Sequence, residues 1–214
     1  MDVVKRTRLS PEQRRAQLID LGVKMLAQRP LEQISVEEIA DQAGVSRGLL
    51  FHYFASKHDF HLAIVRHSSS EMLARTAPDP YVDDARDPLQ ILRSVLAAYV
   101  DYVSENRGTY VSLLRGTASG DPDMRAVFEE TRAMMSERTL EQLPILGVER
   151  TPAVELAVRG WIAYVEEVTI SWLRDPQLTR EQLIELNVQA LPALAVAAAP
   201  EIAAALVAAT SASP

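Results

Sequence analysis

Residues 35–54 read SVEEIADQAGVSRGLLFHYF, and this stretch decides the fold of the N-terminal part of the chain. Two short helices, at about 35–42 and 46–53, are predicted because a serine cap precedes each apolar segment. Gly44 lies between them, where a tight turn requires a positive φ angle that glycine adopts at little cost. Ser46 is positioned to cap the second helix. These features predict a helix-turn-helix, whose second helix enters the major groove of double-stranded DNA.

The first turn and the outer face of the second predicted helix carry side chains suited to reading DNA. Arg47 can pair with guanine or phosphate, Gly48 allows close approach of the backbone, and Leu49 can meet a thymine methyl group. Together with the helix caps, the candidate DNA contacts in this stretch are Ser35, Ser46, Arg47, Gly48, Leu49 and His52. The alternative is a generic helical hairpin without a DNA-binding role.

The net charge of −7 argues against a nucleic-acid partner at first sight, but the charge is unevenly distributed. Residues 1–60 contain nine basic and eight acidic residues, whereas the remainder of the chain has a net charge of −8. Five of the basic residues, Arg8 among them, fall within the first fifteen positions. The basic first fifteen residues can contact DNA phosphates, because the segment 1–60 around them is nearly neutral and does not repel DNA. Arg8 is therefore included among the predicted DNA contacts. A solvated N-terminal tail is the alternative.

The 214 residues have an ordinary globular composition, with 48% hydrophobic and 24% charged residues. The absence of cysteine excludes a disulfide framework and a cysteine zinc site, and it agrees with a reducing cytoplasm. The chain has no run of about 18 apolar residues that would predict a transmembrane helix. Its first residues also lack the apolar segment of a signal peptide. We therefore expect a cytoplasmic protein without a membrane partner.

Helix start signals recur along the chain, whereas the alternation typical of strands is nearly absent. Two examples are Ser10-Pro11-Glu12-Gln13 and Thr179-Arg180-Glu181-Gln182, in which a cap residue is followed by a reciprocal glutamine. The predicted helices are 10–28, 35–42, 46–53, 56–77, 87–105, 107–118, 121–143, 151–174, 179–198 and 201–209. The expected fold class is therefore all-α, with a linker at 78–86.

Residues 39–65, IADQAGVSRGLLFHYFASKHDFHLAIV, resemble the N-terminal signature of the TetR (tetracycline-repressor) family, which has the form IA..AGVS.G.LY.YF..K..L. The matching residues are Ile39, Ala40, Ala43, Gly44, Val45, Ser46, Gly48, Tyr53, Phe54, Lys57 and Phe60. The chain departs from the signature at Phe51, where the family usually has tyrosine. If that hydroxyl reaches a phosphate in the family, His52 or Tyr53 is the candidate to take over its role here.

The resemblance implies a homodimeric transcription factor, usually a repressor, that binds a palindromic operator. It implies a helix-turn-helix DNA-binding domain over residues 1–55 and a larger helical domain for effector binding and dimerisation over residues 56–214. Lys57 matches a family lysine whose charge points toward the DNA backbone, so Lys57 and Tyr53 join the expected DNA contacts. The implied effector is a small apolar or amphipathic molecule. Over residues 87–214 only the helical layout is similar.

Large apolar residues of the middle and late helices are the candidates for an effector pocket. Aromatic and methionine side chains suit an adaptable apolar cavity, although a stripe of them is more often plain core. The candidate ligand contacts are Tyr110, Leu114, Met135, Trp161 and Tyr164. Arg115 and Arg132 are suited to meet an acidic head group. Glu166 and Glu167 interrupt an apolar helix. Each of these side chains can face the pocket, an arginine or solvent.

Two long apolar stripes, in the predicted helices 151–174 and 179–198, are expected to face a second copy of the chain. An ordinary core helix of a monomer would show the same pattern and is the alternative. The predicted interface residues are Val165, Trp172, Leu183, Leu186, Ala190, Leu191 and Leu194. Asn187 lies within the second stripe, where a polar residue can fix the register of a helical seam.

No enzyme, metal site or cofactor is predicted. The sequence has no nucleophile elbow, glycine-rich phosphate loop or HExxH motif. His58 and His61 are three positions apart, but no third metal ligand at helical spacing is evident, so both are interpreted as structural or solvated. Three hypotheses remain: a ligand-responsive DNA-binding regulator, a regulator of the same architecture without an effector, and a helical ligand-binding protein or enzyme whose helix-turn-helix is only a structural hairpin.

Overall fold

The computed structural model describes residues 9–78, 88–146 and 148–198, and these residues form nine α-helices and no β-strand. The α-helices are α1 (Pro11–Leu26), α2 (Val36–Ala43), α3 (Arg47–Tyr53), α4 (Lys57–Arg75), α5 (Pro88–Glu105), α6 (Arg107–Arg115), α7 (Pro122–Leu140), α8 (Pro152–Arg174) and α9 (Arg180–Ala198). None of these nine helices is long and apolar enough to cross a membrane. The all-α prediction is confirmed, and the predicted helix at 201–209 lies outside the described residues.

Helix starts follow local capping chemistry that the sequence already contains. At α1 the Ser10 hydroxyl accepts the backbone N–H of Gln13 at 3.2 Å, and the Gln13 side chain accepts the N–H of Ser10 at 2.9 Å. Thr179 and Gln182 form the same reciprocal pair before α9, at 3.2 and 2.9 Å. Each pair satisfies two backbone donors that the first turn of a helix leaves without intrahelical partners.

Two helices, α6 and α7, end three residues earlier than the apolar spacing predicts. α6 ends at Arg115 rather than at 118, because Gly116 adopts an extended conformation and a 3-10 turn, Thr117–Gly120, follows. α7 ends at Leu140 rather than at 143, and a second 3-10 turn follows it at Leu143–Leu146. Apolar spacing continues into such turns for a few residues, so it marks the end of a helix poorly.

The chain is organised in two compact units. The first contains the chain up to Ser69 together with Asn106–Val127, and the second contains Ser70–Glu105 and the chain from Phe128 onward. The boundaries between the units therefore fall within α4 and within α7, so each of these helices has one part in each unit. The expected domain boundary between residues 55 and 56 remains a prediction.

The core of the first unit holds the helix-turn-helix against α1 and α4. Leu18, Ile39 and Leu50, from the first three helices, are fully buried. Phe54 and Phe60 are buried with their ring centroids 4.9 Å apart in an edge-to-face arrangement. Burying each of these side chains stabilises the fold by about 1.5–3 kcal/mol. As a result, α3 is held by apolar packing on one side and leaves its other side to solvent.

α5, α8 and α9 pack together in the second unit. Trp161 of α8 donates its indole N–H to the backbone carbonyl of Asn187 in α9 at 2.9 Å. Arg180 of α9 donates two hydrogen bonds, of 2.6 and 2.7 Å, to the carboxylate of Asp101 in α5. The buried apolar stripe of α8 comprises Val154, Val158, Trp161, Val165, Ile170 and Leu173. These contacts fix which face of α8 belongs to the core.

Candidate nucleic-acid interface

The turn between α2 and α3 has the predicted geometry. Gly44 ends α2 with φ 64° and ψ 37°, in the left-handed region that favours glycine. The N–H of Val45 donates to the carbonyl of Ala40 at 2.9 Å, which closes the end of α2. Ser46 then starts α3, and its hydroxyl accepts the N–H of Leu49 at 3.1 Å. Two adjacent local motifs thus set the direction in which α3 leaves α2.

One side of α3 is anchored in the core and the opposite side is exposed. Leu50 is fully buried. The exposed residues are Ser46, Arg47, Gly48, Leu49 and His52. Within residues 9–78, 88–146 and 148–198, a Cβ added to Gly48 would contact only the Ser46 hydroxyl, at 3.9 Å, so packing among these residues does not require glycine there. The structure therefore brings five of the predicted DNA contacts together on one exposed surface.

Arg47 has two partners that the sequence analysis did not single out. Its Nη1 lies 3.0 Å from Oε1 of Glu37 in α2, and its guanidinium carbon lies 5.4 Å from the ring centroid of Phe51. Hydrogen bonds from its own backbone N–H and then from the Ser35 hydroxyl lower the pKa of Glu37, which keeps this carboxylate charged. The opposite charges at positions 37 and 47, on the two helices of one hairpin, were the available signal for this pair.

The remaining predicted DNA contacts have different surroundings. Lys57 is exposed, and its ammonium group donates to the backbone carbonyl of Glu32 at 3.2 Å. Tyr53 is half-buried at the end of α3, and Ser35 caps α2. Arg8 lies outside the described residues. Lys57 and Ser35 thus have a partner within the chain, and contact with DNA stays a prediction for all four residues.

His61 has a structural role in the first unit. Its side chain is buried, and its Nε2 lies 3.2 Å from the carbonyl oxygen of Ile34. Burial lowers the pKa of His61, and the hydrogen bond with Ile34 only partly opposes this effect. The histidine therefore serves as a neutral packing and hydrogen-bonding group.

The predicted ligand contacts are divided between the two units. Tyr110 is buried and Leu114 is half-buried in the first unit. Trp161 is buried, and Met135 and Tyr164 are half-buried, in the second unit. The structure does not place all five residues in one unit, and their contact with a ligand stays a prediction.

Arg132 and Glu166 are paired with each other. The Nε and Nη2 atoms of Arg132 donate to the two carboxylate oxygens of Glu166 at 2.9 and 2.8 Å, which joins α7 to α8. Glu166 therefore faces an arginine, which is one of the three environments (pocket, arginine or solvent) that the sequence left possible for it. Glu167 is exposed, and its carboxylate accepts a hydrogen bond from the Ser171 hydroxyl at 3.3 Å. The third guanidinium nitrogen, Nη1, donates to Glu129 at 2.9 Å, so all three nitrogens of Arg132 already have a carboxylate partner.

The predicted dimer-interface residues fall into three groups by their exposure within the protomer. Val165 and Leu183 are 6% and 0% exposed within the protomer itself, so they have little surface left to bury against a second copy. Leu186, by contrast, is 42% exposed. The half-buried residues are Trp172, Ala190, Leu191 and Leu194. Apolar spacing alone did not separate these groups, because α8 and α9 are apolar on more than one face.

α8 has an exposed apolar face that the sequence analysis missed. Leu156 is 70% exposed, and Gly160 and Ala163 are exposed on the same side of the helix. Their spacing of four and three residues was the available signal. Among the described residues, a Cβ added to Gly160 would meet no atom within 4 Å, so packing within this part of the chain does not require glycine at this position.

Two family models match the chain. "Bacterial regulatory proteins, tetR family" matches residues 18–64, which contain the helix-turn-helix, and "Tetracyclin repressor-like, C-terminal domain" matches residues 88–194. A transcriptional repressor of Mycobacterium tuberculosis, KstR2, is 32% identical over 98 residues, which are 46% of this chain and 48% of the repressor.

Solved structures show the same fold. The crystal structure of a tetR-family transcriptional regulator from Streptomyces coelicolor is 28% identical, with a TM-score of 0.78 over 96% of this chain and 92% of the other. The transcriptional regulator FadR from Bacillus subtilis, crystallised in complex with stearoyl-CoA, is 20% identical, with a TM-score of 0.64 over 84% of this chain and 97% of its own. With both family models matched in order along the helices described above, this chain belongs to the TetR family of transcriptional regulators, which are not enzymes.

Proposed function

We propose that this chain is a ligand-responsive repressor that binds a palindromic double-stranded DNA operator as a homodimer and leaves it when a small apolar or amphipathic effector binds. One observation carries the proposal. Arg47, Gly48, Leu49 and His52 are exposed together on α3, while Leu50 on the opposite side is buried and holds the helix in place. A rigid helix with one solvent-facing side is what insertion into a major groove requires.

The exposed side of α3 offers three kinds of contact to DNA. A bidentate pair between Arg47 and guanine would contribute about 1–3 kcal/mol of discrimination against a wrong base. Gly48 leaves room for a base edge or a phosphate, and the 37% exposed side chain of Leu49 suits a thymine methyl group. In the same proposal, contacts that fix the position of the head on DNA come from Arg8, Ser35, Ser46, His52, Tyr53 and Lys57.

A two-fold operator needs two recognition helices about 34–36 Å apart, and therefore a two-fold protein. Leu156, Gly160 and Ala163 on α8 and Leu186 on α9 are exposed apolar or small residues. Small residues let a second helix approach closely, and the leucines contribute apolar area to bury. We assign the dimer interface to these faces. The half-buried members of the predicted interface, Trp172, Ala190, Leu191 and Leu194, complete it.

The second unit offers a polar group to an effector. Asn187 is 0% exposed, and among the described residues neither its side-chain nitrogen nor its side-chain oxygen has a hydrogen-bond partner. A buried amide without partners costs about 1–3 kcal/mol, and the polar group of a ligand would remove that cost. The backbone carbonyl of the same residue accepts the indole N–H of Trp161, so polar and apolar groups lie side by side.

This juxtaposition favours an amphipathic effector. Its polar group would pair with the Asn187 amide, and its apolar part would contact Trp161, with Met135 and Tyr164 as the other proposed contacts in the same unit. Stearoyl-CoA, which the FadR structure contains, is an amphipathic molecule and gives a first probe. Because Arg132 is already paired with Glu166, the effector does not need an acidic group at that point.

These assignments give each part of the chain its own proposed function. Residues 1–55 form the DNA-binding head, and residues 56–214 form the effector-binding and dimerisation part. A regulator of operator DNA works where the chromosome is, so we propose a cytoplasmic location.

The test combines operator selection with a ligand challenge. Fragments retained by the full-length protein are selected from genomic DNA, and the affinity for the enriched sequence is measured by fluorescence anisotropy with increasing stearoyl-CoA. We expect the ligand to weaken operator binding, and the protein to lower transcription from a promoter carrying the operator. The matched variant, Asn187→Leu, has the same number and branching of side-chain heavy atoms without the polar groups, and it should keep operator affinity while losing the response.

Each part of the proposal has its own negative result. Selection without an enriched sequence would contradict operator recognition. Operator binding that no amphipathic probe weakens would favour a regulator without an effector. An unchanged response in Asn187→Leu would remove this residue from the effector site, and increased transcription would make the protein an activator.

A further inference from the structure

Three side chains with metal-ligating atoms meet at the surface of the first unit. His58 lies in the first turn of α4, and Asp121 and Asp123 lie at the start of α7. The Nε2 atom of His58 is 3.0 Å from Oδ2 of Asp123, and its Nδ1 atom is 3.6 Å from Oδ2 of Asp121. His58 and Asp123 are 65 positions apart in sequence, so the fold creates this cluster and local spacing does not.

The backbone of α7 fixes one of the two carboxylates. Oδ1 of Asp121 accepts the N–H groups of Asp123 and Met124 at 3.0 and 3.1 Å, and so caps the helix. Its other oxygen, Oδ2, faces His58. A ligand atom that is already oriented loses less conformational entropy when a cation binds. Asp121 is therefore a prepared ligand rather than one of several mobile surface acids.

We propose that His58, Asp121 and Asp123 bind a divalent transition-metal cation such as Zn²⁺, Co²⁺ or Ni²⁺. One ligand atom from each residue lies within 4.8 Å of the other two. Nitrogen and oxygen ligands lie about 2.0–2.2 Å from zinc, so neighbouring ligand atoms are about 3 Å apart. Nε2 of His58 and Oδ2 of Asp123 already have that spacing. Oδ2 of Asp121 faces the other ring nitrogen, Nδ1, so a cation on Nε2 requires the side chain of His58 or Asp121 to reorient.

The donor set selects the class of cation. An imidazole together with carboxylates suits zinc and its transition-metal neighbours, whereas calcium and magnesium prefer oxygen ligands throughout. Two carboxylates and a neutral imidazole balance the charge of one divalent cation. The side chains of His58 and Asp123 are 45% and 68% exposed, so water can enter and complete the coordination sphere. A cation there would link the first turn of α4 to the first turn of α7.

The test is metal titration of tag-free, full-length protein that has been dialysed against a chelator. Co²⁺ is the optical probe, because its visible absorption reports coordination, and Zn²⁺ binding is measured by calorimetry and by displacement of Co²⁺. We expect one cation per chain and a melting temperature that rises with metal concentration. His58→Ala and Asp123→Asn should each weaken binding at least about tenfold.

The matched control is His67→Ala. His67 is another exposed histidine of α4, and its Nε2 lies 4.0 Å from an oxygen of Asp20, which among the described residues is the one carboxylate within ion-pair distance. We expect this variant to bind Co²⁺ as the wild type does. Circular dichroism confirms that each variant is folded, and Asp123→Asn leaves the cap at Asp121 intact.

Three results would overturn the proposal. The first is the absence of Co²⁺ binding at about 1 mM metal. The second is equal binding by the wild type, His58→Ala and Asp123→Asn, which would reduce the cluster to an ion pair between a histidine and two carboxylates. The third is a loss in His67→Ala as large as that in His58→Ala, which would show nonspecific binding to surface histidines.

Discussion

The guanidinium group of Arg47 in α3 lies 3.0 Å from the carboxylate of Glu37 in α2. The two side chains are 64% and 53% exposed, and the ring of Phe51 lies on another side of the same guanidinium group. Exposed ion pairs are weak, so DNA can compete for Arg47 without a large loss. We therefore expect Glu37 to orient Arg47 only weakly and to repel DNA phosphates that approach this part of α3.

Glu37→Gln should reduce the ratio of the protein's affinity for the operator to its affinity for random DNA. Removing the negative charge strengthens binding to any phosphate backbone, but the operator also loses the positioning of Arg47. We expect affinity for random DNA to rise within about fivefold, since an exposed pair is weak, and operator affinity to rise less. Fluorescence anisotropy with both DNAs measures the ratio.

Glu38→Gln is the control for that experiment. Glu38 is the next residue of α2 and pairs with Arg29 instead of Arg47. It should shift both affinities by similar factors. Equal operator-to-random ratios for the two variants would show that Glu37 acts only through its charge.

Gly44→Ala should destabilise the protein by roughly 1–2 kcal/mol, because residue 44 has φ 64° and an L side chain is strained there. No atom of the described part of the chain lies within 4 Å of a Cβ added to Gly44, so the loss reports backbone strain and not a clash. Urea denaturation measures it. Gly120→Ala is the control, since it has equal space and no positive φ. Equal effects at both positions would argue against a strained turn.

Leu186→Glu and Leu156→Glu should each dissociate the dimer and weaken operator binding, while leaving helicity unchanged. Both leucines are exposed in the protomer, at 42% and 70%, and a buried unpaired carboxylate is costly in an interface. Sedimentation velocity measures the mass. Ile145→Glu, at another exposed apolar position of 54% exposure, should leave the dimer intact. A wild-type monomer at micromolar concentration would contradict the proposed interface.

His61 should make the protein less stable as the solution becomes acidic. Its pKa in the folded state is lowered from the ordinary 6.5, chiefly by burial. Below 6.5 the unfolded chain binds a proton that the folded chain does not yet bind, so stability is fully present above that pH and falls as the pH drops toward the folded pKa. Urea unfolding between about pH 7 and pH 5 measures the slope.

His61→Gln removes the titrating group and leaves an amide that can donate to Ile34. We expect a shallower loss of stability on acidification than in the wild type. His67→Gln, at an exposed histidine, should keep the wild-type slope. A His61→Gln slope equal to that of the wild type would assign the pH dependence to other groups.

Helix starts and the helix-turn-helix could be predicted from sequence because their causes are local. The caps at Ser10, Ser46 and Thr179 bond to backbone groups three residues away, and Gly44 needs only its own backbone conformation. All the groups that form these caps therefore lie within about one helical turn of each other in the sequence. The order of matching residues from Ile39 to Phe60 then indicated the family.

Partnerships across the chain could not be predicted in the same way. The spacing of His58 and His61 singled out these two histidines as a pair. In the structure His61 contacts the carbonyl of Ile34, and His58 pairs with Asp123, which is distant in sequence. Apolar spacing likewise showed that Leu183 and Leu186 lie on an apolar helix. It did not show which of them the core of the protomer covers, because that depends on the position of α5 and α8 against α9.

Operator affinity relative to random-DNA affinity, measured for the wild type and Arg47→Ala, tests the central claim most directly. We predict that Arg47→Ala costs on the order of 1–3 kcal/mol on the operator and much less on random DNA, because the lost contact is to a base. Arg66→Ala, at an exposed arginine of α4, should leave the ratio unchanged. Equal losses on both DNAs, or no loss on the operator, would contradict the claim that the exposed side of α3 reads the sequence.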